Sequence, residues 1–359
     1  MTEKCGIELL AYLCERFGPT GCETEVADAI ISQIGDRCDK MVRDTLGNVY
    51  AVIYGTGENR KRIMISAHMD EVGFMVTGVG DNGYIKFSTL GGIDPRVFYG
   101  KQVTVGNEDK RIPGVIAAKA IHHKKKEDRY KVTKISDMYM DIGASDGEEA
   151  GKYVEVGDFA AFRSDFVRFG ENDNFIKGKA IDDRAGCSAM IEVIRKIRDE
   201  KILFPFDLYF CFTVREEVGL SGAKVAAERI KPDRAIILES TAIADIADVP
   251  AEKRVADVGE GGVLSIMDRS TIYDSAFVRF ALDCAGKYGI KVQVKRYVSG
   301  GNDAGHIHKS GVGVHCIALS LPTRYLHSAA CVASTEDYNS VKELVFAMLK
   351  EMRSEDNDV

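Results

Sequence analysis

The sequence predicts an α/β protein interrupted by a small inserted β-rich domain, and three observations predict it. Apolar runs of strand length alternate with longer helical patterns through both ends of the chain, the signature of a sheet crossed by helices. Between positions 71 and 165 the pattern changes: 13 glycines stand in 95 residues, about twice ordinary usage, among short alternating pieces. Apolar runs in the outer segments also lead into residues that can do chemistry, and open α/β sheets place their sites beyond the carboxyl ends of strands. The expected division is an α/β domain made of residues 1–70 plus 166–359, with a β-rich domain at 71–165.

Taken in order, the first element is an amphipathic helix. Ile7, Leu9, Leu10 and Leu13 share a face while Glu3 and Glu8 stand among them, too much charge for a signal peptide. The run Ile63-Met64-Ile65-Ser66-Ala67 reads as a buried strand leading into His68-Met69-Asp70. Gly83-Tyr84-Ile85-Lys86-Phe87 and Gln102-Val103-Thr104-Val105 read as strands of the insertion. The basic run His122-His123-Lys124-Lys125-Lys126 is followed at once by Glu127 and Asp128 and reads as a solvated loop. Ala185, Ala189, Met190, Val193, Ile194 and Ile197 pattern a helix, with Asp182 and Asp183 directly before it as caps or ligands. Residues 208–214 form a strand leading into Arg215-Glu216-Glu217, and Ala235-Ile236-Ile237-Leu238 another leading into Glu239. A last strand at 312–319 leads through a short loop to His327. Gly91-Gly92 and Gly300-Gly301 read as turns, and 354–359 as a frayed tail.

Composition narrows the class. With 45% hydrophobic residues among 359 the chain is globular, and 48 basic against 55 acidic residues leave a charge of −7, the wrong sign for a nucleic-acid footprint. No stretch approaches the ~18 apolar residues of a membrane span. Nine cysteines form no CxxC pair and several sit inside apolar runs, so they read as buried thiols of a reducing compartment, the cytoplasm.

His68, Asp182, Glu216, Glu217, Glu239 and His327 form a mixed nitrogen and oxygen set suited to zinc, cobalt or manganese. Asp70 can orient His68, since a metal-bound imidazole usually hands its second N–H to a carboxylate. Of the two adjacent glutamates, one can bind metal while the other takes a proton from water, and either could hold either role. Singly each residue has a plainer reading. Asp182 would cap its helix, Glu216-Glu217 would be a solvated helix start, and His327 would be a polar residue under a loop. His122, His123, His306, His308 and His315 stay in that plainer category. Joint placement at strand ends lifts the main set above it.

Several blocks in this order then carry a resemblance: Asp44-x-x-Gly47-Asn48, Ser66-Ala67-His68-Met69-Asp70-Glu71-Val72-Gly73-Phe74, Asp141-Ile142-Gly143-Ala144, Gly178-Lys179-Ala180-Ile181-Asp182-Asp183-Arg184-Ala185-Gly186-Cys187, Glu216-Glu217-Val218-Gly219-Leu220-x-Gly222-Ala223 and Arg324-Tyr325-x-His327-Ser328. The chain resembles the cobalt- or zinc-dependent aminopeptidases that assemble from dimers into tetrahedral dodecamers, among them deblocking, glutamyl and leucyl aminopeptidases. The resemblance implies a mixed-sheet, zinc-peptidase-like catalytic domain with a PDZ-like insertion used in oligomerisation. It implies two divalent ions per subunit, zinc or cobalt with manganese as a third choice. Asp182 would bridge them, His68 and Glu239 completing one site and Glu217 and His327 the other. It further implies cleavage of the N-terminal bond of short peptides by a metal-bound hydroxide, with Glu216 as general base and Asp70 orienting His68. These enzymes usually carry aspartate where Glu239 stands; the extra methylene lengthens the reach, and Asp245 is the nearby alternative donor. The rival expectations are a two-metal deacylase or carboxypeptidase, a glycosidase of the kind suggested by endoglucanase-labelled relatives, and a non-catalytic assembly protein.

Overall fold

The computed structural model describes residues 3–354. The helix at its C-terminal end runs to Ser354, so the remainder of the tail expected to fray lies outside the described residues. The chain opens with α1 (Gly6–Cys14) and α2 (Thr24–Ile34), then β1 (Lys40–Arg43), β2 (Val49–Ile53) and β3 (Arg62–His68). A closed barrel follows, made of β4 (Gly73–Val79), β5 (Ile85–Leu90), β6 (Gln102–Gly106), β7 (Arg111–Ala118), β8 (Met138–Asp141) and β9 (Phe159–Phe162), with the short α3 (Gly147–Gly151) against it. Next come β10 (Val167–Phe169), β11 (Phe175–Gly178), α4 (Ile181–Asp199), β12 (Asp207–Thr213), α5 (Ser221–Ile230) and β13 (Arg234–Ala242). The chain finishes with β14 (Gly262–Leu264), α6 (Ser275–Tyr288), β15 (Val292–Val294), α7 (Ala304–Ile307), β16 (His315–Thr323), β17 (Cys331–Ser334) and α8 (Thr335–Ser354).

Eight strands form one mixed sheet in the order β1-β2-β12-β3-β13-β16-β14-β15. Its centre, β12-β3-β13-β16, is parallel. Those four strands are almost wholly buried, which explains why they read as unbroken apolar runs and not as alternating ones. Helix α4 lies on β3 and β13 with α1 and α8 against it, and it is buried nearly all round. A second helical pair, α5 and α7, packs on β12, β3 and β16. The barrel has its own core, centred on Phe74, whose ring meets Phe87, Phe98 and Phe162 edge-on at 5.2 Å each.

Two strand boundaries near the site differ from the sequence reading by several residues. Strand β13 does not stop at Leu238; it continues to Ala242, so Glu239 lies within a strand. Strand β16 begins at His315 and not at 312, because Gly311 (φ 56) and Gly313 (φ 99) turn the chain and leave Val312 fully exposed. The basic run at 122–126 forms exposed single turns between β7 and β8, as a solvated loop would.

Candidate functional site

The parallel centre of the sheet brings the candidates together. Parallel register sets Thr213 at the end of β12 beside His68 at the end of β3, and Glu239 in β13 beside Ser320 of β16. Asp182 enters from the first turn of α4. Its backbone is extended (φ −80, ψ 111), the peptide to Asp183 is cis, and Asp183 takes the capping role by accepting the Gly186 N–H at 2.9 Å. Asp182 is thereby released from the cap that its position suggests. Glycine is required at 186, since a Cβ there would stand 2.4 Å from an Asp183 oxygen.

The two Asp182 oxygens face different imidazoles. Oδ1 lies 3.3 Å from His68 Nε2, and Oδ2 lies 3.4 Å from His327 Nε2. Glu239 Oε1 stands 3.4 Å from His68 Nε2, and Glu217 Oε2 stands 3.3 Å from His327 Nε2. Two trios result, His68–Asp182–Glu239, wholly buried, and Asp182–Glu217–His327, buried only in part; Glu216 groups with His68 and Glu217.

Both imidazoles are oriented by carbonyls. His327 Nδ1 lies 2.7 Å from the Gly92 oxygen and His68 Nδ1 lies 3.1 Å from the Asp70 oxygen. A carbonyl only accepts, so each Nδ1 carries a proton and each Nε2 turns to the carboxylates. An Nε2 lone pair 3.3–3.4 Å from carboxylate oxygens is repulsive unless a proton on that nitrogen or a metal ion lies between them. Tetrahedral coordination at about 2.0–2.2 Å itself places donors about 3.3–3.6 Å apart, so both trios fit a zinc-class ion.

Burial shapes the charges of the centre's own side chains. It pushes Glu217 up to about 8 and raises Glu216 and Glu239 well above the carboxylate range. Burial would also raise Asp182, but the hydrogen bonds from His327 and His68 prevail and hold it well below its ordinary value. Burial opposes protonation of His327, yet the Asp182 hydrogen bond and the Glu217 charge lift it to about 9. This excess of buried carboxylate calls for positive charge, which protons or metal ions can supply.

Asp70 does more than the sequence suggests. Its Oδ1 lies 3.4 Å from His68 Nδ1 and accepts the Glu216 N–H at 3.0 Å, while Oδ2 accepts the Glu217 N–H at 3.1 Å and the Thr20 hydroxyl at 2.8 Å. One buried carboxylate thus braces an imidazole and the backbone of both glutamates. Asn48, fully buried, is a residue that side-chain chemistry alone did not single out. Its Oδ1 accepts the Val214 N–H at 3.0 Å and its Nδ2 donates to the Gly222 oxygen at 3.1 Å, which ties the β1–β2 turn to the end of β12. The Asp44-x-x-Gly47-Asn48 block was the available signal. Asp245 is engaged elsewhere, both of its oxygens accepting from Arg324 at 2.7 Å. His315 pairs with Asp274 and His308 with the Ala304 oxygen, outside both trios.

A cleft lined by Val72, Phe162, Lys179, Asp182, Glu217 and His327 adjoins the centre. A larger groove of about 1030 Å³ lies at the opposite ends of the strands, beside Arg62, Arg234 and His315, and includes none of the centre's residues. The cleft, which adjoins the polar donor set, is therefore the candidate functional site.

Comparison with known proteins agrees with this architecture. The model of the M42 glutamyl aminopeptidase family matches residues 47–344. The chain is 30% identical to the lysyl aminopeptidase of Pyrococcus furiosus over 97% of its own length and 98% of that protein. Among solved structures, the TET aminopeptidase of Thaumarchaeota archaeon SCGC AB-539-E09 superposes with a TM-score of 0.92 at 35% identity, covering 96% of each chain. The Pyrococcus horikoshii TET1 peptidase, described as able to assemble into a tetrahedron or a large octahedral shell, gives 0.84 at 34% identity, over 96% of this chain and 98% of that one. The mixed sheet with its inserted barrel and the match across most of the chain lead to one conclusion: the chain belongs to the M42 glutamyl aminopeptidase family and is an aminopeptidase.

Proposed function

We propose that the enzyme removes the N-terminal residue of short peptides at a centre of two divalent ions bridged by Asp182. The carrying observation is that the two oxygens of one buried carboxylate each stand opposite a different imidazole, with a further glutamate beside each. His68, Asp182 and Glu239 would hold one ion, and Asp182, Glu217 and His327 the other. All donors are nitrogen or oxygen, which suits zinc, cobalt or manganese. Bound there, the ions would polarise the scissile carbonyl and lower the pKa of water toward neutrality.

The protein's own groups do the rest. Glu216 accepts a proton from the attacking water on its carboxylate and returns it to the departing amine. Asp70 keeps His68 turned inward and the Glu216–Glu217 backbone in place. His327, which lines the cleft, is held in place by the Gly92 oxygen. The barrel serves assembly, the whole being a homo-oligomer built from dimers up to a tetrahedral dodecamer. That assembly domain comprises 71–165 of each chain, with catalysis in 1–70 plus 166–359. Nine free thiols, seven of them buried, suit a reducing cytoplasm. Among the described residues no helix is long and apolar enough to cross a membrane.

A glycosidase using Glu216 and Glu217 leaves both histidines and Asp182 without a role, and a non-catalytic site would need no Glu216. The test is a panel of aminoacyl anilides beside N-acyl amino acids, with elemental analysis of the purified protein. Cleavage confined to free-amine substrates, with two ions per chain, supports the reading; activity on N-acyl substrates alone would replace it with a deacylase.

A further inference from the structure

The turn that carries Glu216 is held in a conformation that its own residues disfavour. Arg215 has φ 56, in the left-handed region, which costs a residue with a Cβ about 1 kcal/mol or more. Its N–H donates to Glu23 Oε1 at 3.2 Å, across 192 positions of sequence. The same oxygen accepts the Gly21 N–H at 2.8 Å. Glu23 is 6% exposed. The next two amides, of Glu216 and Glu217, go to Asp70. Three successive N–H groups are therefore bound by two buried carboxylates from distant segments.

Those carboxylates belong to one scaffold. Thr20 donates its hydroxyl to Asp70 at 2.8 Å and its N–H to the Glu71 oxygen at 3.0 Å, while the Glu71 N–H returns to the Gly18 oxygen at 3.0 Å. Residues 18–23 lie between α1 and α2, outside the strand ends that carry the site, yet they hold the left-handed turn at Arg215. A buried acceptor aimed at a left-handed amide is a costly arrangement to leave without purpose, because the group must be desolvated to serve one turn.

We propose that Glu23 is a positioning residue for peptide hydrolysis: by binding the Arg215 amide it fixes the left-handed turn and so aims Glu216. This rests on reading Glu216 as the general base. What is needed of Glu23 is an acceptor oxygen at full reach, not a charge. Glutamine supplies it; aspartate keeps the charge but falls one methylene short.

The experiment compares metal-loaded wild type with Glu23→Gln, Glu23→Asp, Glu23→Ala and Glu216→Gln, measuring kcat and KM on an aminoacyl anilide, bound metal per chain, and thermal unfolding. Glu23→Gln is expected within about 3-fold of wild-type kcat. Glu23→Asp and Glu23→Ala are expected to lose on the order of 10- to 100-fold in kcat, as for a reacting group displaced by about an ångström, with KM and metal content unchanged. Should Glu23→Ala fail to fold, the aspartate variant carries the comparison. Wild-type kcat in Glu23→Asp, or equal losses in Glu23→Asp and Glu23→Gln, overturns the proposal. Full activity in Glu216→Gln instead overturns the base assignment beneath it, so the two failures are told apart.

Discussion

At the scale of single residues the central feature is Asp182, which its position marks as a helix cap and its neighbour relieves of that task. The chemistry of the site was legible because imidazoles and carboxylates declare themselves wherever they stand. His68, Asp182, Glu217, Glu239 and His327 all meet in the two trios. Thr20, Glu23 and Asn48 were not legible as part of the site, because none stands at the carboxyl end of a strand and their partners lie far away in sequence: Thr20 binds the Asp70 carboxylate, while Glu23 and Asn48 accept backbone amides of Arg215 and Val214. Glu239 shows a further local effect. Its Oε1 also accepts the Ser240 N–H at 3.0 Å, so the added methylene is taken up by folding back on its own strand. Two outcomes follow for substitutions. Glu216→Gln should keep both ions and the fold while kcat falls by about 10²–10⁴, the usual share of a general base; unchanged turnover in a steady-state assay contradicts it. Asp182→Asn should bind less metal than Glu216→Gln, and equal ion content in the two purified variants would remove the bridge.

At the scale of elements the site depends on strand ends being pinned. Buried strands and the long helix α4 were legible from apolar runs and 3.6-residue spacing. The extension of β13 past Glu239 was not, since Ser240 and Thr241 look like loop residues yet pair with Leu321 and Pro322 of β16. The end of β12 is fixed by close approach at Gly222, where an added Cβ would lie 2.1 Å from the Val214 oxygen and 2.6 Å from Asn48 Oδ1. Gly222→Ala should therefore destabilise by about 1–3 kcal/mol, as overpacked sites do, and lower kcat through the displaced Glu216 turn. Calorimetry showing an unaltered unfolding temperature would refute the close-packing argument. Removing the Asn48 amide with Asn48→Ala should act in the same direction, because it leaves the Val214 N–H without its partner.

At the scale of the whole molecule a barrel with its own aromatic core is set into a mixed-sheet peptidase, between β3, which ends in His68, and the segment that returns to Asp182. Glycine density marked this insertion in the sequence, but closure of its six strands depends on pairings such as β4 with β9 that join residues far apart in the chain. If the barrel serves assembly, as proposed, light scattering at micromolar concentration should give a mass many times the 39.4 kDa of one chain, and a stable monomer would contradict that role. Thorough chelation should abolish peptide cleavage while the far-ultraviolet circular dichroism stays unchanged, because the sheet core does not need the ions. The most direct test of the two-ion centre is anomalous diffraction recorded at the absorption edge of the bound metal. Two peaks flanking the Asp182 carboxylate, one beside His68 and Glu239 and one beside Glu217 and His327, are the predicted result; a metal-replete crystal with a single peak, or with none touching Asp182, contradicts it.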